Sequence, residues 1–355
     1  MIASEPKKRP VSLKRIAELT GSSTCTVSKV LNNAPGYIVS AATRKAVQEA
    51  AHKLGYRPNR AARAFATGRL DCIGLAIGPG LFVQWGQRAT ASLTMETLQG
   101  VTERLSELNH TVMLTVLPEG SMESALRRAF LTEQRVDGLI TLLELPPPFV
   151  AELAAHGIPC ACAVHFRPTG AHRTVGLDTY PGVRKAVQRL AELGHRRVGY
   201  VGYRENVSLT GSAERQALYL SLAAEHGLRV DPEFAVPATD ETEAYKATRL
   251  LAAKPNLPSC LIYSADHYAV TGMRALLEAG KRVPEDVSVV GFDDARYASS
   301  SPVPLSTIRV PRKEIGRTVA QWVVDLKGDP AAHPGSMMLA TEWIERASTG
   351  RAGHG

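Results

Sequence analysis

The chain has 355 residues, 44% hydrophobic and 21% charged, which predicts a globular protein of two or three domains with a sizeable core. No apolar segment follows the basic residues of MIASEPKKRP and no run nears the ~18 uncharged apolar residues of a membrane span, so secreted and membrane-spanning classes are set aside and a cytoplasmic location is expected. The net charge of +8 is concentrated in residues 1–69, which hold 13 Lys/Arg against Glu5, Glu18 and Glu49, and this points to a polyanion partner, nucleic acid ahead of an anionic membrane.

Residues 1–10 read as a basic tail. Ser12 is a suitable N-cap for a helix over Leu13–Leu19 that places Leu13, Ile16 and Ala17 on one face, and Thr20-Gly21-Ser22 breaks it. Ser23 caps a second predicted helix, Thr24–Leu31, with Val27, Val30 and Leu31 as its apolar face. Asn32 to Gly36 is a loop by composition, Ser40 caps a third helix, and Gly55 stands where a left-handed residue closes it. Residues 57–70, with Pro58 in a first turn and Phe65 as the one large apolar side chain, make a helix too short to hold by itself.

From residue 71 apolar runs alternate with amphipathic stretches. Strands are predicted at Cys72–Ile77, Thr111–Leu117, Val136–Leu143, Pro159–Val164, Val198–Val201, Leu257–Tyr263 and Val287–Phe292. The intervening helices often close on Asn109, Gly157, Gly194, Gly227 or Gly280. This βαβα rhythm predicts parallel sheets with helices on both faces, and the length suffices for two such units. The cysteines (Cys25, Cys72, Cys160, Cys162, Cys260) are odd in number and scattered, so neither a disulfide framework nor a metal site is expected.

The strongest functional signal is VSLKRIAELTGSSTCTVSKVLN, residues 11–32: a helix, a tight turn at Gly21 and a second helix with a polar face. That pattern is a helix-turn-helix, because an α-helix fits the major groove and the side chains at its start reach base edges. Thr24, Cys25 and Thr26 open the second helix, and Ser28 and Lys29 follow on its exposed side. A generic helical hairpin fits the same pattern, and the charge asymmetry argues for DNA.

LKRIAELTG, TVSKVLNN and ATRKAVQEAAHKLGYRPNRAARAFATG, followed by IGLAI, resemble the LacI/GalR family of bacterial transcription regulators. LAELGHRRVGYVG, SADHYAVTGMRALLEAGKRVPEDVSVVGFDD and PLSTIRVPRKEIGRTV extend the resemblance from about Val11 to Thr349. It implies an all-α helix-turn-helix head over residues 11–57 and a hinge helix and linker over 58–70. The body, 71–349, would be α/β and two-lobed, like type I periplasmic binding proteins. Its lobes are expected at about 71–172 with 299–326, and 173–298 with 327–349, leaving 350–355 as a tail.

By the same resemblance, Ser23, Thr24, Cys25, Thr26, Ser28, Lys29 and Asn32 contact DNA, with Thr24 and Cys25 setting sequence preference. Tyr56 and Asn59 contact the backbone near the hinge, Ala62 lies on the minor-groove side, and Phe65 takes the place of a leucine wedge between base pairs. Cys25 reads equally as a packing residue, and Phe65 as a contact between paired hinge helices. In the body the resemblance assigns effector binding to Arg215, within GSAERQALY, and to Asp266, whose usual asparagine neighbour is Ala265 here. Arg and Asp each make two directed, charge-assisted hydrogen bonds, which suits a hydroxyl-rich ligand, and a structural ion pair is the alternative. Trp85, in the loop before the next helix, reads as an aromatic face for a sugar or as a cap outside the pocket.

Gly78-Pro79-Gly80 lacks the spacing of a dinucleotide loop, and Asp293-Asp294 reads as a solvated pair. No enzyme and no cofactor are expected. The chain therefore reads as a DNA-binding repressor whose affinity for a double-stranded operator is set by a small-molecule effector, expected to be a carbohydrate. A ligand-responsive activator, a cytoplasmic sugar-binding protein and an α/β enzyme are the alternatives. No long apolar heptad tail follows the last predicted strand, so a homodimer is expected, with no membrane partner.

Overall fold

The computed structural model describes residues 11–32, 36–56, 70–78, 88–118, 122–132, 135–142, 145–164, 173–202, 212–333 and 335–353, with the side chains of 88–93, 122, 212 and 213 left out. The chain divides into two units, a head ending at Leu70 and a body beginning at Asp71.

The head contains α1 (Leu13–Thr20), α2 (Thr24–Leu31) and α3 (Ala41–Lys53). Each begins where the serines predict. The hydroxyls of Ser12, Ser23 and Ser40 accept from the backbone N–H of Arg15, Thr26 and Thr43, satisfying one of the donors that a helix start leaves open. The turn from α1 to α2 needs a left-handed residue, and Gly21 supplies it at φ 61. Ile16, Ala17, Val27, Val30, Val47 and Ala51 are buried together as the core of this unit.

The body opens with β1 (Cys72–Ile77), α4 (Arg88–Glu107), β2 (Thr111–Val116), α5 (Met122–Leu126) running into a wide π-type turn over Arg127–Thr132, and β3 (Gly138–Thr141). It continues with α6 (Pro147–Ala155), β4 (Cys160–Ala163), β5 (Thr174–Asp178), α7 (Tyr180–Glu192), β6 (Val198–Gly202) and α8 (Ser212–Glu225). Next come β7 (Ala235–Pro237), α9 (Glu241–Ala252), β8 (Cys260–Tyr263), α10 (Asp266–Glu278) and β9 (Ser288–Val290). The last elements are β10 (Thr307–Arg309), α11 (Arg312–Gly328), β11 (Met337–Ala340) and β12 (Glu342–Ile344).

Two parallel sheets result, as the βαβα rhythm predicts: one ordered β11-β5-β4-β3-β1-β2 and one ordered β7-β6-β8-β9. A short antiparallel pair, β10–β12, stands apart from both. Strands β3, β4, β6 and β8 are buried along their whole length, the mark of sheets covered on both faces. Because β5 and β11 belong to the first sheet, that sheet draws on residues outside the expected 71–172 and 299–326.

Helix α11 crosses α4 at a contact of backbone on backbone. A Cβ at Gly100 would lie 2.0 Å from the Lys313 carbonyl oxygen, and one at Gly316 would lie 2.1 Å from that of Thr97. Lys313–Glu103 and Arg317–Glu107 ion pairs flank the crossing, and the Arg104 guanidinium donates to Gln321 Oε1. At the far end of α11, Lys327 Nζ reaches Asp137 Oδ2 at 2.6 Å. The same carboxylate oxygen accepts the backbone N–H of Asp71, the first residue of the body, also at 2.6 Å. Asp71 takes a left-handed φ of 49, and its carbonyl oxygen accepts from both the N–H and the hydroxyl of Thr111.

The crossing leaves no room for a methyl group. Gly316→Ala is expected to destabilise the body by about 1–3 kcal/mol, the usual range for overpacking, and Gly316→Val by more. A melting temperature within a degree of the wild type for Gly316→Val would show that the two helices separate freely.

Candidate functional site

The first site is the outward face of α2. Val27 and Val30 turn into the head core, so residues 24, 25, 28 and 29 share the opposite side of the helix. Thr24, Cys25 and Lys29 are exposed, and Ser28 is half-buried. Ser23 is occupied with capping, and its hydroxyl also meets that of Thr26 at 3.0 Å. Asn32 closes the helix, its amide donating to Ser28 Oγ at 3.3 Å. Tyr56 packs against the head core after α3, and partial burial raises its phenol pKa.

One contributor to this face is absent from the residues expected. Tyr37 lies beyond the loop after α2 and turns back onto that helix. Its hydroxyl donates to Thr26 Oγ1 at 3.0 Å, and Lys29 Nζ sits 4.8 Å from its ring centroid. Asn59, Ala62 and Phe65, like the hinge helix that would carry them, lie outside the described residues.

The second site lies at the carboxyl ends of the parallel strands, where open α/β sheets bind ligands. After β9, Phe292 is fully buried and carries the Arg215 guanidinium of α8 over its ring, 4.4 Å from the centroid. Among the described residues the hydroxyls of Tyr219, Ser264 and Tyr297 and Nδ1 of His267 are buried with no hydrogen-bond partner, and Tyr219 and His267 feel the Arg215 charge. These groups sense one another. Burial raises the Tyr219 phenol while Arg215 opposes the rise. Burial lowers the His267 pKa while Asp293 opposes the fall, and Tyr297 is pushed up by burial and by Asp293 and Asp266. From the other sheet, Glu96 of α4 is raised by burial and lowered by Arg312 and Arg296.

Asp266 and the Asp293-Asp294 pair are both held within the body. Asp266 is wholly buried, and both its carboxylate oxygens are taken within the body, by Ala295 N at 2.7 Å and Thr307 Oγ1 at 2.5 Å. Burial, then the neighbouring Asp293, raises its pKa well above the carboxylate range. The geometry makes it a tie between α10 and the segment leading to β10. Asp293-Asp294 is likewise not a solvated pair. Asp293 is 6% exposed and forms a buried ion pair with Arg312, which also donates to the Asp293 carbonyl oxygen at 2.9 Å. Asp294 accepts from Arg309 at 2.7 Å and Arg346 at 2.5 Å. Trp85 lies outside the described residues, so its side chain has no place in this description.

A separate groove of about 520 Å³ runs between α4 and the β1–β2 edge, lined by Leu75, Met95, Leu98, Val112 and Leu114, with Glu96 and Arg296 at its polar end. Arg215 takes no part in it, so groove and ligand site are different places. Among the described residues no His, Cys, Asp or Glu cluster is placed to hold a metal ion, and no helix is long and apolar enough to cross a membrane.

Residues 12–59 match the bacterial regulatory proteins of the lacI family, and residues 187–349 match the periplasmic binding protein-like domain. The chain is similar to the HTH-type transcriptional regulator CelR of Thermobifida fusca, 31% identical over 97% of this chain and 99% of that one. Among solved structures it resembles the CelR–cellobiose complex, with a TM-score of 0.64 and 29% identity over 96% of this chain and all of that one. It also resembles the lac repressor dimer bound to operator and the anti-inducer ONPF, with a TM-score of 0.76 and 26% identity over 96% of this chain and all of that one.

The buried Arg312–Asp293 pair predicts a sharp response to truncation. Arg312→Ala leaves a carboxylate in a site with little water and is expected to destabilise the body by about 3–5 kcal/mol. Arg312→Ala with Asp293→Ala should recover part of that. Thermal unfolding of the single and double variants checks it, and a loss below about 1 kcal/mol for Arg312→Ala would mean the pair is screened by solvent.

Proposed function

The chain belongs to the LacI family of bacterial regulatory proteins, and from that premise we propose that it is a sequence-specific repressor, cytoplasmic and homodimeric, whose hold on a DNA operator is set by a sugar or sugar derivative bound in the body. The observation that carries the ligand assignment is the set of buried hydroxyls of Tyr219, Ser264 and Tyr297 and the ring nitrogen of His267 that have no partner among the described residues. Each such group costs about 1–3 kcal/mol while unsatisfied. A hydroxyl-rich molecule both donates and accepts, so it relieves several at once, and Arg215 gives it a charge-assisted anchor.

Helix α11 supports the coupling between sites. Its 17 residues span about 25 Å. Arg312 at one end grips Asp293 beside the ligand site, and Lys327 at the other shares Asp137 with the backbone of Asp71, where the chain arrives from the head. A ligand that binds the open and closed lobes with different affinity would move this helix between two positions, and only that difference shifts operator affinity.

The dimer assignment rests on β2. It is the edge strand of the first sheet, and Leu114, Val116 and the nearby Met95 are 49%, 48% and 52% exposed. An apolar sheet edge left in water is an association liability, and a second copy related by a two-fold axis would cover it while presenting two heads to a pseudo-palindrome. Leu114→Asp should therefore yield monomers in sedimentation and lose operator binding, and a Leu114→Asp dimer of unchanged affinity would move the interface elsewhere.

Two measurements test the rest. Operator binding should fall about 10³–10⁵-fold between 50 and 200 mM salt if six to ten phosphates are contacted. Footprinting on the organism's own DNA at low salt that finds no protected site counts against the repressor reading. In a thermal-shift screen of sugars and sugar acids, cellobiose included, a ligand at 100 times its Kd should stabilise the body by about 2.7 kcal/mol. Arg215→Ala should weaken that ligand at least about tenfold, since a charge-assisted bond is worth about 1.5–3 kcal/mol, and leave ligand-free operator binding unchanged. Undiminished ligand affinity in Arg215→Ala would remove Arg215 from the site.

A further inference from the structure

We propose that Tyr37 is a positioning residue for DNA reading: from outside the recognition helix it fixes the donor direction of Thr26 and the rotamer of Lys29. The proposal rests on the reading of the head as a DNA-binding unit. Tyr37 is half-buried against the head core, whereas its neighbour Ile38 is 93% exposed, so the segment entering α3 turns the phenol and not the aliphatic side chain back on α2. The Tyr37 ring is held by packing, and a phenol has only two side-chain torsions to fix, which makes it a rigid strut.

The consequence at Thr26 follows from counting its bonding capacity. A threonine hydroxyl has one proton and two lone pairs. Tyr37 O–H donates into one lone pair at 3.0 Å. The hydroxyl of Ser23 lies 3.0 Å from the same oxygen, in a bond where either hydroxyl can donate. Tyr37 takes one lone pair of Thr26, and with Ser23 donating into the second the Thr26 proton meets DNA, toward a phosphate oxygen or a base acceptor. The same ring limits Lys29: its ammonium lies 4.8 Å from the centroid, so a flexible side chain starts near one rotamer before DNA arrives. Thr26 and Lys29 are three positions apart on one helix, and a single ring orders both.

The test is a double-mutant cycle in the full-length chain, with Tyr37→Phe, Thr26→Val, their combination and Tyr37→Leu. Each is titrated by anisotropy onto the operator recovered by selection with the wild type and onto a random duplex. Tyr37→Phe keeps the ring and loses one hydrogen bond, so operator affinity should fall about fivefold with random-duplex affinity unchanged. In the Thr26→Val background Tyr37→Phe should cause no further loss, because its only partner is gone. Tyr37→Leu removes strut and ring together and should cost about twentyfold on operator. Head stability, followed by thermal unfolding of Tyr37→Phe, should be unchanged. Losses that add in the double variant, equal losses on operator and random duplex, or a fall in head stability that accounts for the affinity change would each overturn the proposal. The first two would make Tyr37 a phosphate contact in its own right, and the third a core residue. A wild-type chain that selects no operator at all defeats the DNA-binding reading, and this proposal with it.

Discussion

The buried ion pair between Arg312 and Asp293 is the constraint on which the body turns. Asp293 sits at φ 124 and Asp294 at φ 54, backbone conformations that non-glycine residues rarely hold and that cost about 1–3 kcal/mol each unless the surroundings impose them. Three arginines impose them: Arg312 on Asp293, and Arg309 and Arg346 on Asp294. Their anchor points are the start of α11, the β10 strand and the segment after β12, so the acidic corner ties the second sheet to the chain segments that return toward the first. Neutralisation also explains how so much charge is tolerated close to the buried carboxyl of Asp266, whose pKa is raised by burial and by Asp293.

From that corner the rigidity of α11 carries the consequences outward. Helices normally pack at 8–10 Å with side chains between them. Gly100 and Gly316 remove the side chains at the crossing of α4 and α11, and the backbones meet directly. A contact of that kind does not deform gradually, because interiors are close-packed and the neighbouring atoms have nowhere to go. The flanking ion pairs add little, each being solvent-exposed and screened. The helix therefore moves with α4 as one piece, and what Arg312 does at the cleft is passed to Lys327 and Asp137 beside the first residue of the body.

What could be read in the chain beforehand was what depends on near neighbours. The three helices of the head were legible because each cap, Ser12, Ser23 and Ser40, bonds a backbone amide three residues on, and because Val27 and Val30 recur at the spacing of one helical face. Most of the parallel strands were legible as apolar runs. Strands β10 and β12 were not: three residues carry no period. Strand β5 was missed because TVGLD places a glycine and an acid inside a buried segment. The acidic corner was misread for a different reason. Asp293 and Asp294 look solvated in a local window because the arginines that neutralise them lie 15, 19 and 52 residues away. The internal partners of Asp266, 29 and 41 residues on, lie beyond a local window for the same reason. Tyr37 escaped because it acts on α2 from across a loop, at 11 residues from Thr26.

The magnitudes favour a ligand-driven switch on the proposed reading. Moving a two-state equilibrium from 1:99 to 99:1 takes about 5.5 kcal/mol of differential affinity. Tyr219, Ser264, Tyr297 and His267 leave four buried polar atoms without partners among the described residues, and satisfying each is worth about 1–3 kcal/mol. Their sum is of the required order without invoking any new apolar burial. It drives a switch only if the groups are satisfied in one arrangement of the lobes and not in the other. Glu96 makes that condition plausible in physical terms. It is carried by α4 over the first sheet, and of the charges that act on it Arg296 and Asp293 follow β9 of the second sheet, whereas Arg312 starts α11 and travels with α4. On the proposed reading, separating the sheets would weaken the attraction of Glu96 to Arg296 and keep that to Arg312, so the electrostatics of the site would differ between open and closed lobes even before a ligand arrives.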